Sequence, residues 1–206
     1  MSSRSRSGRQ YWVAIRAMVV LTAVLGVGYT AVITGVGQLA MPAQADGQLV
    51  QDADGRVVGS ALIGQSFTDA DGAALPEWFQ SRPSAAGDGY DASASSGSNY
   101  GPENPDLIAA IGDRLASVAK LEGVSESEIP ADAVTASASG LDPQISPEYA
   151  RLQVPRIAEA RDLPEDEVAE LVENHVQARD LGILGDPTVN VLELNLALAA
   201  LAALAD

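Results

Sequence analysis

The chain has no cysteine, one histidine and one lysine, and aromatic residues make up only 4% of it. Without thiols there is no disulfide framework, no thiol nucleophile and no cysteine metal site. The lone His175 cannot build a multi-histidine centre, and any Ser–His–Asp triad would have to use it. Its place on an apolar helical stripe suits a packed or surface residue. Lys120 follows Val118 and Ala119 rather than a glycine run, so no Gly-x4-Gly-Lys-Ser/Thr phosphate loop exists. A Gly-x-Ser-x-Gly elbow is missing too. Nothing in this inventory points to an autonomous enzyme.

Acid is also absent at first: no Asp or Glu precedes Asp46, while Arg4, Arg6, Arg9 and Arg16 do. Between them and Asp46 lies Tyr11 to Leu39, whose core, residues 17–36, carries no charge over 20 residues. A helix of that length spans about 30 Å, the thickness of a bilayer's hydrocarbon core. Its internal hydrogen bonds satisfy the backbone in lipid. The arginine excess predicts a cytoplasmic N-terminus and an exported remainder. Tyr11 and Trp12 suit the inner interface. The competing reading is a cleaved signal peptide, for which Ala43-Gln44-Ala45 supplies a small-residue site. The apolar run exceeds the roughly 7–15 residues usual there, which favours an uncleaved anchor. Ala23, Gly26, Thr30, Thr34 and Gly37 recur at steps of three or four, giving one small-residue face on which another membrane helix can pack. The expected division is a basic cytoplasmic tail over 1–10, a transmembrane helix over 11–39 and an extracytoplasmic domain over 46–206.

The 161 residues after position 45 suffice for one domain with a core. They hold eight of the 12 basic residues and all 28 acidic ones, a formal charge of −20. Nucleic acid is excluded as a partner by repulsion of its phosphates. A field attracting cations is compatible with this charge, and so is plain solubility.

The predicted class is α+β, with a few short strands early and helices later. Asp54-Gly55 between Leu49-Val50 and Val57-Val58 reads as a hairpin. Asp-Ala-Asp-Gly occurs at 52–55 and 69–72; the further ligands of a calcium loop are missing, so both are turns. Arg82 to Pro105 is a polar stretch whose composition fits either a linker or a packed loop. Asn104 caps a helix from Pro105 to about Leu121. Ser146-Pro147 opens another, which Pro155 must kink or split. A third starts at Asp162 and Pro164 and carries a stripe of Val168, Leu171, Val172, His175 and Val176. Asn190 with Glu193 forms a capping signature for Val191 to Leu204, an apolar and therefore buried helix too short for a second span.

Several stretches carry more than composition. Arg82-Pro83-Ser84-Ala85 and the run from Tyr90 through Asp91, Ser93 and Ser95 to Asn99 resemble the signature of the C subunit of the bacterial Kdp potassium-transporting ATPase. Val134-Thr135-Ala136-Ser137-Ala138-Ser139-Gly140-Leu141-Asp142-Pro143, Gln153-Val154-Pro155-Arg156 and Val189-Asn190-Val191-Leu192-Glu193-Leu194-Asn195 do so as well. Their order and the single N-terminal span match from about Trp12 onward. Gln144 stands where His is common in that family, and Ala138 where Gly is common.

The resemblance implies a non-catalytic subunit of a membrane complex that imports potassium using ATP. Its partners would be a channel-like subunit and a P-type ATPase subunit. The Asp-Lys-Thr-Gly phosphorylation motif of the latter is absent here. The family is described as a catalytic chaperone and labelled ATP-binding. An acidic domain outside the cell, with no phosphate cradle, is poorly matched to that label. The resemblance marks Arg82, Ser84, Asp91, Ser93, Ser95, Asn99, Ser137, Ser139, Asp142 and Arg156 as partner-facing or structural, and no residue as catalytic or metal-binding. The alternative is a free-standing membrane-tethered or secreted binding module or hydrolase.

Overall fold

Neither a proline nor an acid interrupts the chain before Asp46 except Pro42, and a helical run fills that space. The computed structural model describes residues 4–205; the first three residues of the expected basic tail, and Asp206, lie outside. Helix α1 is Arg4–Leu21, a π-helical stretch spans Thr22–Tyr29, and α2 is Thr30–Ala40. Over Gly8–Ala40 the run has a mean hydropathy of 2.0, and its large apolar side chains are exposed all round. Pro42 cannot continue α2; it opens a single turn, α3, Pro42–Ala45. Gln38 then donates to the Asp46 carboxylate at 2.9 Å.

The chain divides into two compact units between Gln48 and Leu49. The second begins with the expected hairpin, β1 (Leu49–Gln51) antiparallel to β2 (Val57–Ser60). Asp52 Oδ1 accepts from the amides of Asp54 and Arg56, and Gly55 adopts φ +78. The second Asp-Ala-Asp-Gly repeats this turn: Asp69 Oδ1 accepts from Asp71 and Ala73, and Gly72 has φ +83. Each leading aspartate is thus a turn-former.

Helix α4 is Pro105–Glu122, capped by Asn104 Oδ1 on the amide of Asp106 at 2.8 Å and ended by Gly123 at φ +69. After the short strand β3 (Gln144–Ile145), Ser146 caps α5 (Pro147–Leu152). Pro155 splits the helical run beyond Ser146, so α6 is a separate helix, Val154–Arg161. Helix α7 is Glu165–Asn174; Asp162 lies before it, as the left-handed C-cap of α6. The predicted stripe on α7 therefore stops short: His175 is its C-cap, and Val176 belongs to β4 (Val176–Gln177). Strand β5 (Thr188–Asn190) lies between β3 and β4, antiparallel to both. Strands are thus not confined to the early part. Two- and three-residue pairings are too short to leave a period in the sequence.

Asn190 Oδ1 caps the last helix, α8 (Val191–Ala205), through the amides of Leu192 and Glu193. Leu192, Leu194 and Leu198 are buried, the last two in one core with Ile145, Tyr149, Ile157, Val168, Val172 and Val189.

Phe79 and Gln80 cross this core without belonging to any strand. Both are buried, so their backbone groups need partners. Side-chain amides supply them: Asn195 pairs with both backbone groups of Phe79, at 2.9 and 3.0 Å. Gln153 does the same for Gln80, at 2.6 and 3.2 Å. Two side-chain amides, one from α8 and one from the α5–α6 junction, thus replace a missing neighbouring strand.

Candidate functional site

The signature stretches converge. The polar run after Arg82, ambiguous by composition, is packed against 134–143. Ser84 Oγ donates to the Gly140 carbonyl at 2.6 Å and accepts from the amides of Ala86 and Tyr90. Ser95 Oγ and the Ser96 amide both donate to the Ser139 carbonyl at 3.0 Å. The Ser137 amide reaches the Pro83 carbonyl at 3.4 Å. Arg82 Nη1 forms an ion pair with Asp142 Oδ2 at 2.8 Å, while its Nε and Nη2 point at the Thr135 carbonyl.

Glycines make this approach possible. A Cβ on Gly140, already at φ +68, would lie 2.7 Å from Ala86 Cβ and 2.8 Å from Ser96 O. One on Gly97 would lie 2.8 Å from Ala138 O. Tyr90, a signature residue to which the sequence assigns no separate role, sits at the centre. Its hydroxyl donates to the Arg82 carbonyl at 2.8 Å, and burial pushes its pKa up to about 12. Being the lone aromatic between Arg82 and Asn99 is its only distinguishing signal in the sequence.

Asp91 and Ser93 are not part of the clamp. Asp91 Oδ1 caps a short 3₁₀ turn by accepting from the Ser93 amide and hydroxyl, bonds that hold its carboxyl below the ordinary value. Asn99 is exposed, at φ +55, and donates to the Gly97 carbonyl.

Arg156 lies elsewhere, in the core. Its Nε pairs with Glu122 Oε2 at 2.9 Å, with side-chain exposures of 8% and 0%. Nη1 donates to the carbonyls of Pro76 and Trp78, and Nη2 to Gln153 Oε1 at 2.9 Å. Among the described residues Glu122 Oε1 has no hydrogen-bond partner. Burial pushes the Glu122 pKa up, against the pull of Arg156. Arg156 thus organises the 76–80 crossing, a structural duty.

Of the predicted membrane face, Thr30, Thr34 and Gly37 keep α-helical spacing on α2, while Ala23 and Gly26 fall in the π stretch. The wider winding there, with hydrogen bonds five residues apart, takes Ala23 off the line that a 3.6-residue period predicts.

Two of the clefts on the second unit border the clamp or α4. One of about 660 Å³ is lined by Leu62, Ile63 and the clamp residues Arg82, Ser137, Ser139 and Asp142. The other, about 740 Å³, runs beside α4 past Arg114, Ser117 and Lys120. At the first cleft the amides of Ser137 and Leu141 donate to the Pro83 carbonyl and to Ser139 Oγ, and at the second those of Gly72 and Ala73 donate to Asp69. Arg114 Nη1 is engaged with the Val134 carbonyl at 3.0 Å. Among the described residues no serine hydroxyl bonds His175, whose Nδ1 donates to the Leu171 carbonyl at 2.7 Å. No group of three or more acids or histidines there is placed to hold a metal.

Comparison with known proteins bears on the whole chain. The family model described as "K+-transporting ATPase, c chain" matches residues 11–200. A protein of Kineococcus radiotolerans named potassium-transporting ATPase KdpC subunit is 53% identical over 194 residues, 94% of this chain and 95% of the relative. Proteins of the same name from Caulobacter vibrioides and Mycobacterium tuberculosis are 56% and 49% identical over 188 and 191 residues. These cover 91% and 92% of this chain, and 91% and 97% of the relatives.

Proposed function

Because the chain belongs to the KdpC family of potassium-transporting ATPase subunits, we propose that it is a non-catalytic accessory subunit of an ATP-driven potassium importer. The match over residues 11–200 carries this reading, since it takes in both the apolar helix and the clamp. The role in potassium transport comes from the family; potassium is the cargo. The helix over Gly8–Ala40 fits a membrane location.

The finer reading has three parts. The helix anchors the chain with its arginine-rich end in the cytoplasm, so the acidic unit faces outward. The small residues Gly26, Thr30, Thr34 and Gly37 dock the anchor on the channel-like subunit. The acidic unit then stands over the outer ion entrance and stabilises the assembly with the channel-like and P-type ATPase subunits, acting as their catalytic chaperone. Any effect on nucleotide affinity passes through the partner that holds the nucleotide. A free-standing module has no support among relatives that share a subunit's name.

The docking part is tested by Gly26→Leu with Thr30→Leu. A Cβ at Gly26 meets only Thr22 Cγ2, at 3.8 Å, so the helix itself accommodates the change. Loss of co-purification with the large membrane subunits is expected. Normal assembly would count against docking through this face.

A further inference from the structure

Strands β4 and β5 are joined by a loop that breaks two rules. Leu181, Ile183 and Leu184 are 89%, 77% and 56% exposed. Among the described residues of the second unit, no other four-residue stretch exposes three large apolar side chains to this extent. Leu181 also holds φ +52, a left-handed conformation that disfavours side chains. Gly182 and Gly185 already supply φ +77 and +73 in the same loop. Backbone strain of this kind is costly and clusters at functional sites such as ligand clamps.

The tip is also rigidly based. Asp180 and Leu184 exchange two backbone hydrogen bonds, at 3.0 and 2.9 Å. Arg179 Nη2 pairs with Asp186 Oδ1 at 2.8 Å across the base. Below it, β5 carries Val189 into the core. A presented apolar knob of this kind binds with little ordering loss.

We propose that this tip is a docking knob seated in an apolar, basic-rimmed pocket on another subunit of the potassium-transporting complex. The inference rests on the accessory-subunit reading but not on sidedness or on the anchor. Charge selects the occupant. Asp180 and the Arg179-paired Asp186 flank the knob on a unit, Leu49–Asp206, whose 27 acidic and eight basic residues give a formal charge of −19, which lipid phosphates repel. The loop holds no Trp, Tyr or Lys to anchor at a bilayer interface, and its Arg179 is engaged. A second copy would bring the same negative surface.

The experiment places a photo-crosslinking residue at position 183 in the full complex, in native membranes. Crosslinking to a protein subunit of the complex is expected. Crosslinks only to lipid, only to a second copy of this chain, or to nothing overturn the proposal. In the same complex, Leu181→Ser with Ile183→Ser and Leu184→Ser should shorten the half-life of this chain's retention by about tenfold or more. An unchanged half-life refutes the knob. The variant Leu181→Gly separates docking from folding: it should raise the Tm of the chain alone while weakening retention. A lowered Tm contradicts the strain argument behind the proposal. If the unaltered chain fails to co-purify with any subunit, the accessory-subunit reading falls and takes the knob with it. If it co-purifies and the tip variants behave identically, only the knob is lost.

Discussion

Replacing Arg156 by Leu isolates the core ion pair, and the structure sets its size. The guanidinium serves Glu122, the Pro76 and Trp78 carbonyls and Gln153. Most of these survive its loss. Trp78 O still accepts from Gln80 Nε2, Gln153 Oε1 still accepts from the Gln80 amide, and Pro76 is partly open to water. Glu122 does not survive it: its side chain is 0% exposed and one oxygen already lacks a partner. Leaving a buried charge unpaired costs about 3–5 kcal/mol. That is a large share of the roughly 5–15 kcal/mol by which a domain is stable. The expected fall in Tm is roughly 6–20 °C. The assay is guanidinium denaturation of the full chain in detergent, followed by Trp78 fluorescence in a Trp12→Phe background. Adding Glu122→Leu should recover most of the loss, to within about 1–2 kcal/mol of the parent. The single variant's deficit should also shrink from pH 7.5 to pH 5. Burial raises the Glu122 pKa, so its folded form prefers the proton and acid relieves the unpaired charge. A loss below about 1 kcal/mol, or a double variant no better than the single, would refute the reasoning.

Alkali should unfold the protein through its buried phenols. Burial pushes Tyr90 up to about 12 and Tyr149 further still. Above about pH 10 the unfolded chain releases protons that the folded one keeps, so stability falls by about 1.4 kcal/mol per pH unit for each group. Denaturation midpoints at pH 9–11.5 measure this. Tyr90→Phe should flatten the slope, and ionisation of all five tyrosines near pH 10 in the folded chain would contradict it. At the clamp, Gly140→Ala should cost about 2–4 kcal/mol from overpacking added to positive-φ strain. Gly72→Ala has φ +83 but nothing within 4 Å, and should cost only about 1 kcal/mol. Equal losses in equilibrium denaturation would mean that the clamp is looser than described.

Local signals are legible in the sequence wherever the physics is local. The charge-free run, the hairpin, the Asn104 and Ser146 caps and the break at Pro155 each depend on neighbours within a few residues. The bonds that hold the fold together depend on distant ones. Asn195 reaches Phe79 across 116 positions and Gln153 reaches Gln80 across 73, so nothing near either amide announces its partner. The polar run after Arg82 reads as linker or loop because its apolar content is small. Its order comes instead from Ser84 and Ser95 bonding to backbone brought in from 134–143, with Tyr90 closing back on the Arg82 carbonyl. Arg156 is legible as a signature residue but not as the partner of Glu122, since an ion pair between α4 and α6 leaves no spacing to read.

Sidedness is the claim on which the placement of the acidic unit over the outer ion entrance turns, and the absence of cysteine makes it directly measurable. A single cysteine at the exposed Ala70, in the 69–72 turn, gives the chain one reactive thiol. An outward-facing acidic unit predicts labelling by a membrane-impermeant maleimide on intact cells, at the level reached after lysis. Labelling only after lysis would put that unit in the cytoplasm and contradict the account.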